Sequence, residues 1–340
     1  MKDLFSYKTK SGNALGEMIF RPLKTHNMEL AIVDIGARNG MFLFPKSYAA
    51  HAHYIGFEPN QDEYEKLIRH KTDAMNLGME MPKFKSEEYN DCAVWSEDGF
   101  LPFYITKGPG ACTLMGKTDV NVTSHMFLGK DVQSYENIHS EIQSTVTVKC
   151  KRLDSIINQA RKIDFLKIDV EGADFSVLKG ALGLLKSKNI LFIRAEFQLF
   201  PFYNNHYLLG DQQLLLNKYG YRLIGFDWEH PRYTRDKSDL PEYADRRLMY
   251  AGDYYFILDP DRVSLSAEDR YRLALISLIF GFNSLAISLL KETGLFSTSE
   301  INEVEEVIKR RYAKKRWLYY WQNIPFIGLA MLSKIKRNFK

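Results

Sequence analysis

The sequence predicts an α/β fold, a mostly parallel sheet covered by helices on both faces, followed by an all-helical C-terminal extension. Three observations carry that prediction. Short runs rich in β-branched and aromatic residues alternate with helical patterns up to about residue 260. Runs such as AIVDIG (31–36) and ILFIRAE (190–196) are almost continuously apolar, as strands buried on both faces are. Beyond about residue 260 only helical patterns remain.

Taken in order, residues 1–27 form an N-terminal segment with no signal-peptide core, and 28–259 the α/β domain. Expected strands are Ala31–Ile35, His53–Phe57, Asn90–Trp95, Ile163–Ile168, Ile190–Ala195, Tyr221–Phe226 and Tyr254–Leu258. Helices are expected over 61–70, 152–160, 174–187 and 211–219. LPFYIT (101–106) and TVTVKC (145–150) suit an added antiparallel pair. Between them lies an irregular insertion, 107–144, which suits a substrate-facing lid or a variable surface loop. In the extension (260–340), Ser266 is an N-cap ahead of a first helix, GFN (281–283) a turn, and Gly294 the end of a second helix. The uncharged window Leu273–Leu290 approaches a bilayer span in length, but its Gly281/Asn283 break and three serines predict a buried helical hairpin.

With 45% hydrophobic and 26% charged residues in 340, the composition is that of an ordinary globular protein. The net charge of +4 does not argue for a nucleic-acid partner. It is uneven: residues 301–340 hold ten Lys/Arg against three Glu, +7, which leaves −3 for the rest. Three cysteines without zinc spacing point to a reducing compartment, so a cytoplasmic protein is expected. The tail alternates basic clusters with the uncharged run Trp317–Ser333, which suits an interfacial helix on an anionic membrane surface, or a helix packed on protein.

In open α/β sheets ligands bind beyond the carboxyl ends of the strands. Those ends read Asp34-Ile35-Gly36-Ala37-Arg38-Asn39-Gly40, then Glu58-Pro59-Asn60, Asp169-Val170-Glu171-Gly172 and Glu196, while the third strand begins near Asn90-Asp91 and runs into Cys92-Ala93. Gly36 and Gly40 let the chain turn sharply against a ligand. GARNG is neither GxGxxG nor a P-loop, so a dinucleotide pyrophosphate is not expected. Glu58 follows Gly36 by 22 positions, the spacing at which an acid on the second strand bonds ribose hydroxyls. A nucleoside without diphosphate, such as S-adenosyl-L-methionine, fits best.

VDIGARNG, IGFEPN, DCAVW and above all FLKIDVEGADFSVLKGA resemble the FkbM family of S-adenosylmethionine-dependent methyltransferases, over roughly residues 28–258. RLDSII (152–157) and IRAEFQ (193–198) fall where that family has further motifs. The resemblance implies a Rossmann-like class I methyltransferase fold, a seven-stranded sheet whose terminal hairpin is reversed. It implies that Asp34, Gly36, Ala37 and Gly40 form the methionine-side turn, that Glu58 binds ribose, and that Asp91 and Cys92 face adenine. Asp169 and Glu171 would stand at the reaction rim. Arg38 departs from the family's small or amide residue; it could grip the cofactor or point to solvent.

Methyl transfer to a hydroxyl needs a group to take the proton. Asp169 or Glu171 is the candidate base, with Glu196 orienting a sugar hydroxyl; the alternative is that Asp169 only touches cofactor and Glu171 caps a helix. Three acids from two strand ends are not a metal signature, and no metal is expected. His125, Tyr203 and His206 are candidate acceptor contacts, with His139 a further possible base and Phe200, Phe202 and Tyr207 able to stack on a ring. The expectation is an O-methyltransferase acting on a glycan or lipid-linked glycan hydroxyl. Natural-product tailoring, or a binding protein on the same fold, are the alternatives.

Overall fold

The computed structural model describes residues 10–116, 141–228 and 251–312. Its strands are β1 (Leu30–Ile35), β2 (Ala52–Phe57), β3 (Ser86–Asn90), β4 (Ala93–Val94), β5 (Gly99–Thr106), β6 (Ile142–Lys151), β7 (Ile163–Ile168), β8 (Ile190–Gln198), β9 (Tyr221–Trp228) and β10 (Ala251–Leu258). Seven of them form one sheet in the order β3-β2-β1-β7-β8-β10-β9. Every pair is parallel except those of β10, which runs antiparallel to β8 and β9. This is the class I methyltransferase order with its reversed terminal hairpin. β1 and β7 sit at the centre, and β1 is buried at every position, which is why its sequence is so uniformly apolar.

The third strand differs from expectation. The sheet uses Ser86–Asn90, and the chain then crosses at Asp91–Cys92 so that Ala93–Val94 pairs parallel to β6 in a second sheet, β4-β6-β5. The sequence SEEYN is polar because β3 is an edge strand, half open to solvent, where charges discourage further pairing. The anticipated antiparallel pair is present as β5 and β6. It is longer than anticipated; residues 117–140 of the insertion lie outside the described residues.

The helices in the α/β domain include α1 (Lys10–Thr25), α2 (Lys46–Ala49), α3 (Gln61–Ile68), α4 (Asp73–Asn76), α5 (Leu153–Ile156), α6 (Asp174–Gly180), α7 (Leu182–Lys186) and α8 (Leu209–Lys218). The expected 152–160 helix is a single turn; within it Asp154 accepts from the N–H groups of Gly183 (2.6 Å) and Leu184 (3.0 Å) at the start of α7. Helix α1 was not anticipated within 1–27, although Leu15, Ile19, Phe20 and Leu23 form a buried stripe at helical spacing.

Helices α9 (Ala267–Ile279) and α10 (Asn283–Thr293) break at Gly281, whose φ is +82°, as the hairpin reading requires. A further helix covers 298–312. Helix α9 packs into the same core as the sheet: Phe280 stacks on Phe192, and Leu273 and Leu275 are fully buried with Phe165. Arg272 ties it down, pairing with the buried Asp164 at 3.0 Å and donating to the Glu29 carbonyl at 2.8 Å. The helical extension therefore forms part of the layer over β7 and β8. No helix among the described residues is long and apolar enough to cross a membrane. The tail proposed for membrane contact, 313–340, lies outside the described residues.

Candidate active site

At the carboxyl ends of β1, β2 and β7 a cavity of about 340 Å³ opens, roofed by the small sheet. Its floor is the β1 turn. Gly36 adopts φ +78°, and a Cβ there would collide with the Asp169 carbonyl oxygen. Only glycine lets the ends of β1 and β7 come this close. The Gly36 and Ala37 N–H groups donate to the Phe57 carbonyl (3.1 and 2.9 Å), which locks the turn to β2. Gly40 (φ +62°) lies under the Met81 side chain, and its left-handed backbone is what favours glycine there.

Several expected contacts change role. Asp34 is fully buried beneath the turn and away from the cavity wall; it accepts from Tyr54 Oη (2.9 Å) and Lys167 Nζ (3.0 Å). Ala37 is equally buried and is not on the wall. Arg38 lines the cavity but neither points to solvent nor is free, since it pairs with Glu63 (3.0 Å) and Asp73 (2.8 Å) and so straps the turn to α3 and α4. Asp91 is exposed and off the wall, because the chain leaves the main sheet there; its neighbour Cys92 is on the wall.

Glu58 lines the cavity at the end of β2 and accepts from Asn60 N–H at 2.9 Å. Burial pushes its carboxyl up to about 7, against the pull of that N–H. Phe103, Cys112 and Leu114 of the small sheet and its continuation line the cavity together with Cys92 and Val94, which makes this part of the wall apolar.

The other half of the rim is acidic. One carboxylate oxygen from each of Asp169, Glu171 and Glu196 falls within 4.8 Å of the others, close enough for a cation to touch all three. Asp169 also pairs with Lys167 at 3.3 Å, sharing that cation with Asp34. Glu171 and Gly172 both have positive φ (+54° and +89°), which turns the chain sharply after β7. That turn is clamped from two sides. Thr113 Oγ1 donates to the Glu171 carbonyl at 2.8 Å, and Tyr203 Oη donates to the Glu171 carboxylate at 3.5 Å. Burial and the Glu171 charge hold the Tyr203 phenol protonated.

Glu196 is held well above the usual carboxylate range by burial, then by the charges of Glu171, Asp174 and Asp169, and its Oε2 has no hydrogen-bond partner. Asp174, also buried, is pushed up by burial and by Asp169. Its oxygens make no hydrogen bond of normal geometry, although the backbone N–H groups of Asp174 and Glu196 favour its ionised form.

Tyr203 and His206 stand behind the Glu171–Gly172 turn and not on the wall: a Cβ on Gly172 would meet both. His206 Nδ1 accepts from Phe202 N–H (3.1 Å), and burial lowers its imidazole to about 4, so it is neutral. His125 and His139 lie outside the described residues.

Sequence reasoning missed Lys167 and Arg194, both on the wall. Each is the only cation in its strand, beside Asp164 in β7 and Glu196 in β8, and stands two residues before an acid on the same face; a buried charge needs a partner. Lys167 finds Asp34 and Asp169; Arg194 finds Asp253 on β10.

The description "Methyltransferase FkbM domain" matches residues 34–223, more than half of the chain. Methyltransferase 1 of Beauveria bassiana (strain ARSEF 2860) is 28% identical over 156 residues, 44% of this chain and 57% of that protein. Methyltransferase sdnD of Sordaria araneosa is 31% identical over 163 residues, 44% of this chain and 59% of that protein. The match thus spans less than two thirds of either relative. Among solved structures, magnesium protoporphyrin IX methyltransferase (ChlM) of Synechocystis PCC 6803 with bound SAH aligns with a TM-score of 0.30 at 8% identity, covering 72% of this chain and 81% of that one. An S-adenosylmethionine-dependent methyltransferase of Clostridium acetobutylicum ATCC 824 aligns at 0.27 and 7% identity, over 73% and 92%. Strand order, glycine turn and matched domain agree: the chain belongs to the FkbM family of methyltransferases, whose cofactor is S-adenosyl-L-methionine.

Proposed function

We propose that the chain transfers the cofactor methyl group to a hydroxyl oxygen of a small organic or glycan acceptor. The observation that carries this reading is the pair Glu171 and Glu196, side by side at the ends of β7 and β8 next to the cavity. The cavity suits the cofactor. The Gly36–Gly40 turn admits close backbone approach, Glu58 keeps carboxylate lone pairs for ribose hydroxyls, and Phe103, Leu114 and Cys92 make the base slot. Asp169 and Lys167 border the methionine end.

The cofactor supplies an activated methyl carbon. The chain must hold the acceptor oxygen within about 3.5 Å of it and remove the proton. Glu171 takes the proton. Asp169 is already paired with Lys167, and burial and the neighbouring acids make Glu196 hold its proton more tightly than an ordinary carboxyl. A neutral Glu196 donates to the acceptor oxygen and orients it, while Thr113 and Tyr203 keep the Glu171 carboxylate at the rim. The small sheet excludes water from above.

Calorimetric titration with S-adenosylhomocysteine, NAD serving as control, tests the cofactor half; binding of the first alone is expected. The acceptor half is read by incubating with methyl-labelled cofactor and panels of sugars and small hydroxyl compounds. Glu171→Gln should bind S-adenosylhomocysteine normally and transfer at least ~100-fold more slowly. Undiminished transfer would assign the proton to another group.

A further inference from the structure

We propose that Lys167 is a positioning residue that orients the Gly36 carbonyl and the Asp169 carboxylate at the ends of β1 and β7, where the methionine end of the cofactor binds. This rests on the cofactor reading of the cavity given above.

The Lys167 ammonium has three N–H donors and three acceptors: Asp34 Oδ1 at 3.0 Å, Gly36 O at 3.3 Å and Asp169 Oδ2 at 3.3 Å. Only the first serves the fold by necessity, because Asp34 is fully buried and needs a counter-charge. Asp169 is nearly half exposed, and such a carboxylate gains little stability from a partner. The Gly36 carbonyl belongs to a turn whose N–H groups are already fixed on the β2 side. Lys167 fixes the same turn on the β7 side, and at its own position on the wall it faces the cavity. The backbone spacing there is set by the ladder, which the Asp169 N–H extends to the Ile35 carbonyl at 3.0 Å; the ammonium sets where the Gly36 carbonyl and the Asp169 carboxylate point.

Its charge matters as well. Lys167, shared between Asp34 and Asp169, offsets part of the Asp169 charge on the cavity side, and a cationic sulfonium senses that offset more than a neutral thioether does.

The test is the double variant Lys167→Met/Asp34→Asn, which removes the buried charge together with its partner and leaves Asn an oxygen for Tyr54 Oη. Calorimetry with S-adenosylhomocysteine and S-adenosylmethionine reads both effects. The double variant should melt near the wild type and bind S-adenosylhomocysteine at least about tenfold more weakly. It should lose less affinity for the sulfonium, so the ratio of the two constants shifts toward S-adenosylmethionine.

Wild-type affinities for both ligands would show that Lys167 only neutralises Asp34, and an equal loss for both would show a general loosening; either overturns the proposal. If the double variant does not fold, Lys167→Arg keeps the buried charge and alters only the reach. It should bind S-adenosylhomocysteine at least about fivefold more weakly, and normal affinity overturns the proposal. Failure of the wild type to bind either ligand would instead overturn the cofactor reading.

Discussion

The two halves of the rim are built on opposite terms. On the β1–β2 side the polar groups are answered by the protein itself: Asp34 by Tyr54 and Lys167, Arg38 by Glu63 and Asp73, and Asn39 by the Ala74 N–H it accepts. On the β7–β8 side carboxylates are crowded, and Glu196 Oε2 and both Asp174 oxygens lack partners. A satisfied half is a rigid cradle, already shaped before a ligand arrives. The acidic half is costly to assemble without protons or a bound group, because like charges in a poorly hydrated site oppose one another's ionisation. That difference separates holding from chemistry.

The sharpest way to break the comparison is Gly36→Ala. A methyl group there meets the Asp169 carbonyl in a left-handed backbone, so S-adenosylhomocysteine binding should vanish and stability fall by roughly 3 kcal/mol or more. Calorimetry and thermal melting check both. Retained binding would mean that the two strand ends can part, and the cradle is less rigid than its contacts imply.

Next comes pH. Ribose hydroxyls donate to an ionised carboxylate, and the Glu58 carboxyl titrates at about 7 in the free protein. Affinity for S-adenosylhomocysteine should therefore fall as pH drops through 7, and Glu58→Gln should bind weakly with a flat profile. An unchanged profile in that variant would remove Glu58 from the ribose.

Smaller effects belong to the acidic half. The folded Glu196 carboxyl holds its proton well above the unfolded range, so the folded state binds more protons and loses stability as pH rises past the unfolded value. Glu196→Gln should consequently raise the melting temperature by a few degrees at pH 8 and hardly at all at pH 4. His206 has the opposite sign. Its folded value of about 4 lies below the unfolded 6.5, so stability is full above 6.5 and is lost as pH falls toward 4. His206→Asn should blunt that acid loss, which melting at pH 4.5 against pH 7.5 would reveal.

Much of this arrangement was legible beforehand, and the misses follow one rule. Gly36, Glu58, Asp169, Glu171 and Glu196 could be named because strand ends and spacing are properties of the chain alone. Asp91 was misplaced because the switch from the main sheet to the small one is a pairing decision: SEEYN is too polar to look like a strand until β2 is beside it. Tyr203 and His206 were expected against the acceptor, but Gly172 gives them a backbone to lean on instead.

The sequence by itself determined the alternation of strands and helices, the glycine turn and the acids that follow the central strands, since periodicity, φ freedom and residue chemistry are local. The tertiary structure alone decided partnership. Parallel register sets Asp34 opposite Lys167 and Lys167 opposite Arg194, and antiparallel register sets Glu196 opposite Asp253. Residues as far apart as 34 and 167 acquire or lose their counter-charges only when strands distant in the chain are laid side by side, because Coulomb energy and burial depend on distance in space and not on distance along the sequence.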